Sequence, residues 1–433
     1  MVSTIAHASL WSTGYYPGWE QPSMPASQID FTALTHIIHF SLVPDSSGAL
    51  NSSDNNISTA NSADLISHAH AAGVKVMICV GGASTETAFQ GAASAANLSS
   101  FINNITNFIA ARGYDGVDID WEPLPATDFQ LYTNLINGLR SALDGFPQHK
   151  LLTAAAGAYP VYGDPATSEY LMFASVQNQF DQINIMTYDL SGPYDGWVTW
   201  FDSPIYDGGY RFASSGGLVP SIDGAVKGFL GSRVATNKLG IGIPFYGYLW
   251  TGDVTQPRQS WTNPPAYPTA SYNDIVASYY QPSVYHWDTS AQAAYLSITN
   301  ADAANDMFIS YEDQRACQAK VSYARNHGLG GVMIWELAQD HKNGQADPLL
   351  QSVKQALASP GVVSVQYTNQ EITLNFSGIP LGSYRILWTD SLSNNAWNTL
   401  AITNVTGAAQ QLQIVDPNPS GIAQRFYRIQ SPQ

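Results

Sequence analysis

Three acids stand two residues apart in the run Gly116-Val117-Asp118-Ile119-Asp120-Trp121-Glu122. On a strand this spacing puts Asp118, Asp120 and Glu122 on one face, about 6–7 Å apart along the chain, and Val117, Ile119 and Trp121 on the other. An apolar strand has no packing reason to carry three carboxyls on one side, because isolated buried charges cost more than they return. Crowding raises their proton affinity, so at least one should keep its proton near neutral pH and be able to donate it. Glu122, at the C-terminal end of the run, is the expected donor. The bland alternatives are a solvated loop or a set of calcium ligands, but strict alternation within an apolar strand does not match a calcium loop.

The elements that must hold this ladder can be read on both sides of it. From Ser12 to about Ser359, short apolar runs alternate with segments of helical period, the pattern of βα units around a parallel sheet. Eight strands are expected: Thr13 to Tyr16, His36 to Leu42, Val74 to Val80, Gly116 to Trp121, Leu152 to Ala156, Ile183 to Tyr188, Leu239 to Phe245 and Gly331 to Trp335. Helical stretches fill most gaps: 63–72, 98–112, 129–143, 168–179, 223–230, 313–326 and 348–357. The spacing therefore predicts a closed (β/α)8 TIM barrel over 1–359, with its active face at the strand C-terminal ends. The segment from about 250 to 307 is too long for one helix and reads as an inserted α+β lobe walling one side of that face. Ala358-Ser359-Pro360-Gly361 is a breaker, and strand-like alternation without helical period follows it at 363–367, 372–376 and 384–388. Residues 360–433 are expected to form a small C-terminal β-sandwich.

Composition narrows the ligand. With 33 acidic against 17 basic residues the formal charge is -16, which repels phosphate backbones and anionic lipid, so no nucleic acid and no membrane partner is expected. Charged residues are only 12% of the chain, whereas Tyr and Trp number 24 and 11, a surface suited to a neutral, hydroxyl-rich ligand on which aromatic rings can stack. Nine histidines show no ligand spacing, so no metal and no cofactor is expected. Cys79 and Cys317, the only cysteines, are expected to be two separate thiols. No run of about 18 apolar residues exists, and the stretch beginning Met1-Val2-Ser3-Thr4 lacks the succession of a signal peptide.

Asp115, Asp118, Asp120 and Glu122 match the DxxDxDxE motif of glycoside hydrolase family 18, the chitinases, and the chain resembles that family across the whole barrel. Supporting blocks follow in the family's order: Gly14 to Trp19, Gly81-Gly82, Met186-Thr187-Tyr188-Asp189, Pro244 to Gly247 and Trp335-Glu336. The lobe after the seventh strand resembles the insertion of one branch of the family. Cys79 stands where the third-strand block usually has Ser, and Tyr248 where Arg often follows the seventh-strand Tyr-Gly.

The resemblance implies hydrolysis of β-1,4 N-acetylglucosamine linkages with chitin or chito-oligosaccharides as partner, by a monomer and without cofactor. It implies an exception to the two-carboxylate scheme, in which the substrate's 2-acetamido oxygen attacks its own anomeric carbon while Glu122 protonates the leaving oxygen. The resulting oxazolinium ion is opened by water with retention. Asp120 would orient the acetamide, Asp118 would share a proton with Asp120, and Tyr188 would hold the acetamide oxygen, with Asp189 beside it. Trp335 would floor the -1 sugar and Met186 face inward with Tyr188, while Tyr15, Phe40 and Tyr246 serve as wall residues. Asp115 would brace the strand start, a structural role that the motif shares with Gly81 and Gly82. Tyr194, Trp19, Trp197, Trp200, Trp250, Trp261 and Trp287 fall in loops or the lobe, where the sequence leaves open which line subsites and which fill the lobe's own core. Trp388 and Trp397 likewise either present a sugar-binding face or fill the sandwich. A polymer such as chitin cannot enter a cell, so a secreted protein is expected, with its export signal outside this chain. Two further readings use the same residues: a non-catalytic chitin lectin, against which the presence of Glu122 counts, and an endo-β-N-acetylglucosaminidase.

Overall fold

The computed structural model describes residues 10–342, 345, 347–358, 362–368, 371–378, 383–391, 396–404, 410–417 and 425–430. Of the expected breaker at 358–361, residues 359–361 lie outside these residues, as does the Met1 start. The chain divides into two compact units, the first running to Val353 and the second from Lys354.

In the first unit eight parallel strands close on themselves. They are Trp11–Pro17, His36–Pro44, Lys75–Gly82, Gly116–Trp121, Leu151–Gly157, Gln182–Met186, Leu239–Pro244 and Gly331–Trp335. Each pairs with its sequence neighbours, and the first pairs with both the second and the eighth, which removes any open edge. This is the (β/α)8 barrel that the alternation predicts. Its strands are buried on both faces, which is why they read as continuous apolar runs. The helices present one apolar stripe to them: Leu98–Arg112 buries Phe101, Ile105 and Ile109, spaced by four, and ends at Gly113 with φ of 81°. Phe129–Leu143 buries Tyr132, Leu135, Ile136, Leu139 and Leu143 in the same way. Each such side chain contributes roughly 1.5–3 kcal/mol by leaving water.

The sixth strand stops at Met186, two residues short of the expected Tyr188, because the chain bends through Asp189 with φ of 57°. The lobe is also larger than its sequence suggests. Its five-stranded antiparallel sheet already starts at Tyr246–Thr251 and ends at Met307–Tyr311, which pair directly, with Thr269–Ser271, Ala293–Ile298 and Tyr285–Asp288 completing the order. Its core recruits the loop after the sixth strand, since Trp200, Phe201 and Val219 pack with Trp250, Val254 and Phe308.

The second unit contains two three-stranded antiparallel sheets, Val362–Thr368 with Glu371–Gly378 and Gln410–Asp416, and Asn398–Asn404 with Ser383–Thr389 and Phe426–Gln430. Leu374, Phe376, Tyr384 and Ile386 form its buried core. Arg425 stacks on the ring of Trp388 with its guanidinium carbon 3.9 Å from the centroid, so that ring is not a bare platform.

Candidate active site

The fourth strand turns the spacing of the acids into a stack. Val117, Ile119 and Trp121 pack outward, Trp121 lying flat on Phe89 at 4.6 Å and edge-on to Tyr132 at 6.1 Å. Asp118 and Asp120 therefore point into the barrel, both buried. Asp118 is the deepest, and its two oxygens accept from the Thr153 hydroxyl at 2.6 Å and the Tyr15 hydroxyl at 2.9 Å. The Cys79 thiol, directly across on the third strand, also hydrogen-bonds to it. Burial outweighs these donors and pushes the Asp118 carboxyl up to about 6. Asp120 is hydrogen-bonded to Glu122, and burial followed by the charges of Glu122 and Asp118 holds its carboxyl well above the usual range. Its Oδ1 is buried with no hydrogen-bond partner among the described residues. Glu122 is raised too, by burial first, with the charge of Asp189 adding to it and the hydrogen bond from Asp120 opposing it. The two carboxyls behave as one pair sharing a proton.

The Glu122 main chain is fixed as well as its side chain. Its carbonyl accepts the amides of Thr85 and Glu86 at 2.9 and 3.3 Å, just past the third strand. Gly81 and Gly82 permit that approach: both have positive φ, and a Cβ on Gly81 would lie 1.9 Å from the Asp120 carbonyl, one on Gly82 2.8 Å from Phe40. Asp115 lies away from the cleft, accepting from His70 at 2.7 Å, Lys75 at 3.0 Å and the Val76 amide at 2.9 Å, which ties the start of the strand to its neighbour.

Above the stack opens a cavity of about 1050 Å³. Tyr15, Asp120, Glu122, Met186, Tyr188, Asp189, Tyr194 and Trp335 all line it, so it gathers these sequence-nominated residues in one place. Phe40 stands behind, 4.8 Å from Trp335 and edge-on. Among the described residues the Tyr188 hydroxyl reaches only the Met333 sulfur, at 3.7 Å. Tyr246 lines a second, more polar hollow of about 420 Å³ that shares Asp189 and Trp335 with the first. There the Tyr246 and Tyr248 hydroxyls both donate to Asp189 Oδ1, at 2.6 and 2.7 Å. The position where the family often has Arg thus supplies a hydroxyl to the same wall, and Tyr248 is held by a face-to-face stack on Tyr267 at 4.0 Å.

The loop aromatics separate cleanly. Tyr194 and Trp197 line the cleft, whereas Trp200 and Trp250 are wholly buried in the lobe core with Trp261 packed against it. Trp287 lies under Arg315 at 4.0 Å, and Trp19 stands edge-on to Phe40 at 5.7 Å. Sequence reasoning missed Tyr159, Tyr162 and Asp195, which also line the cleft. Their position just beyond the fifth and sixth strands was the available signal. Among the described residues no three His, Cys, Asp or Glu are grouped to hold a metal ion, and no helix is long and apolar enough to cross a membrane.

The model for glycosyl hydrolases family 18 matches residues 12–340, which spans the barrel, the lobe and the acid stack. The chain belongs to this family. Among curated family 18 relatives it is 31% identical over 374 residues to chitinase A1 of Niallia circulans, covering 77% of this chain and 51% of that one. It is 30% identical over 327 residues to chitinase 1 of Aphanocladium album, covering 72% and 70%. The chain thus spans about half the length of the first of these relatives. In fold it is similar to the Ostrinia furnacalis group IV chitinase, with a TM-score of 0.69, 22% identity and coverage of 81% of this chain and 100% of that one.

Proposed function

We propose that this family 18 protein is a chitinase that hydrolyses β-1,4 linkages between N-acetylglucosamine units, with Glu122 as acid and then base. The observation that carries the reading is the hydrogen-bonded Asp120–Glu122 pair, stacked on a fully buried Asp118 and opening into the floor of the cleft. Burial keeps a proton on this pair at pH values where an ordinary carboxyl has lost it, which is what protonating a glycosidic oxygen requires.

Of the two other acids lining the cleft, Asp189 and Asp195, Asp189 is the one whose charge acts on Glu122, and its state argues for a nucleophile supplied by the substrate. Asp189 Oδ1 is occupied by two tyrosine hydroxyls, a poor arrangement for attack on an anomeric carbon. The 2-acetamido oxygen of the sugar over Trp335 fills the role, with the Tyr188 hydroxyl holding that oxygen in place. Asp120, freed from Glu122, would take the acetamide N–H and offset the positive charge of the oxazolinium ion. Water activated by Glu122 then opens the ring with retention. The cleft lining is aromatic and acidic, which supports chito-oligosaccharides over anionic polymers as ligand. Residues 360–433 are proposed as a separate β-sandwich that takes no part in the chemistry, and the whole as a secreted monomer.

The test is release of fluorophore from a chitobioside and of oligomers from chitin hexamer by the wild type and Glu122→Gln. Turnover should fall by about 10²–10⁴-fold in the variant with oligomer binding retained. A wild type that binds chitin hexamer but never cuts it identifies a lectin, and preferential release from an N-glycoprotein identifies an endo-β-N-acetylglucosaminidase.

A further inference from the structure

Behind the cleft wall lies a buried charged cluster that the mechanism above does not use. Asp202 is 1% exposed and belongs to the loop after the sixth strand. Its Oδ1 accepts the backbone amide of Asp189 at 2.7 Å, and its carbonyl accepts the amide of Leu190 at 3.0 Å. The next residue, Ser203, donates its hydroxyl to the Thr187 carbonyl. The stretch 187–190 is thus fastened at three points to residues 202–203, and it contains both Tyr188 and Asp189. The fastening is needed. Asp189 has φ of 57°, a left-handed conformation that side-chain-bearing residues adopt far less readily than glycine. An acceptor aimed at that amide favours the bent form.

Asp202 is in turn held from behind. Its amide donates to the Ser310 hydroxyl at 2.8 Å. Lys320, fully buried on the helix Gln314–Asn326, is ion-paired with Glu312. Burial, and then the charge of Asp189, raise the Asp202 carboxyl well above its ordinary range, against the smaller opposing effects of the Asp189 amide and the Lys320 charge. Among the described residues Asp202 Oδ2 is buried without a hydrogen-bond partner, so this carboxyl is not placed there to satisfy its own polar atoms.

We infer that Asp202 is a positioning residue of the cleft: by accepting the Asp189 amide it holds Asp189 in its left-handed turn, and so sets where the Asp189 carboxylate meets Tyr246 and Tyr248 and where Tyr188 points. The Ser310 hydroxyl holds the Asp202 backbone in place from behind without touching substrate. The inference rests on the chitinase reading of this cleft.

The experiment compares Asp202→Ala with Asp202→Asn, each purified, checked for folding by circular dichroism and thermal unfolding, and assayed for kcat and KM on a fluorogenic chitobioside. Asn keeps an oxygen for the Asp189 amide but cannot ionise under the influence of Lys320. If amide acceptance is the role, Asp202→Ala loses about 10–100-fold in kcat per folded molecule with a smaller change in KM, and Asp202→Asn recovers most of it. If Asp202 is only a charge partner for Lys320, Asn is as harmful as Ala and the inference is overturned. Equal activity of Ala and wild type overturns it too. Should Asp202→Ala not fold, Asp202→Ser replaces it, since its hydroxyl is one bond too short to reach the amide, and is read by the same two criteria. A wild type without turnover fails the chitinase reading itself, whereas an active wild type with indifferent Asp202 variants fails only the positioning role.

Discussion

Replacing Asp118 by Asn should make the barrel more stable and the protein less active, with the gain in stability present only at higher pH. Asp118 is fully buried, and its carboxyl is lifted from 3.8 to about 6. Between those values the native chain binds more protons than the unfolded one, so stability falls as pH rises through the window. Once both states are ionised the cost is about 3 kcal/mol. Asn carries no charge and avoids it. Asn does disturb the donors, because Thr153 and Tyr15 both point hydroxyls at carboxylate oxygens and one must turn its proton away to accept from the amide, a loss of about 1 kcal/mol. The expected balance is a variant more stable by about 2 kcal/mol at pH 8 and no more stable at pH 4, where the wild-type acid is itself neutral. Unfolding of both proteins followed by tryptophan fluorescence at pH 4 and pH 8 measures it, with chitobioside turnover recorded alongside. A variant destabilised equally at both pH values would refute the reasoning, since it would mean that the Asp118 charge costs the fold nothing.

Tyr188→Phe removes a hydroxyl whose partner is a thioether, so its unfolding temperature should shift by no more than about 2 °C while kcat drops by about 10-fold or more, read from melting curves and steady-state kinetics. Gly81→Ala should be poorly folded or inactive, because the added Cβ would sit 1.9 Å from the Asp120 carbonyl at φ of 116°; a soluble variant with wild-type turnover would contradict this. Trp250→Ala, which empties the lobe core rather than the cleft, should cost about 3–5 kcal/mol in unfolding and change KM through wall disorder, whereas Trp197→Ala should weaken oligomer binding with little effect on stability.

The acid stack was legible because a strand's period of two is short and unforgiving: Asp118, Asp120 and Glu122 cannot alternate with Val117, Ile119 and Trp121 without showing which face is odd. The barrel was legible for the same reason, as eight apolar runs separated by helical stripes admit few closed arrangements. The walls were not. Tyr246, Tyr248 and Trp250 share one face of a single strand, yet the first two donate to Asp189 while Trp250 ends in the lobe core, and only the path of that strand decides where the face changes surroundings. Trp197 and Trp200 lie three residues apart in a loop without period, one in the cleft and one wholly buried. Asp202 was invisible because it acts on a main-chain amide thirteen residues earlier, and any residue type supplies an amide.

The contact between the Tyr188 hydroxyl and the Met333 sulfur has a consequence for how a ligand is received. A phenol committed to a strong acceptor must surrender that bond before greeting a guest, and the exchange gains little. Sulfur holds a proton loosely, so a carbonyl arriving over the barrel mouth takes it almost without competition. The protein keeps one donor weakly engaged at the mouth of the barrel, where a better acceptor can claim it at little cost.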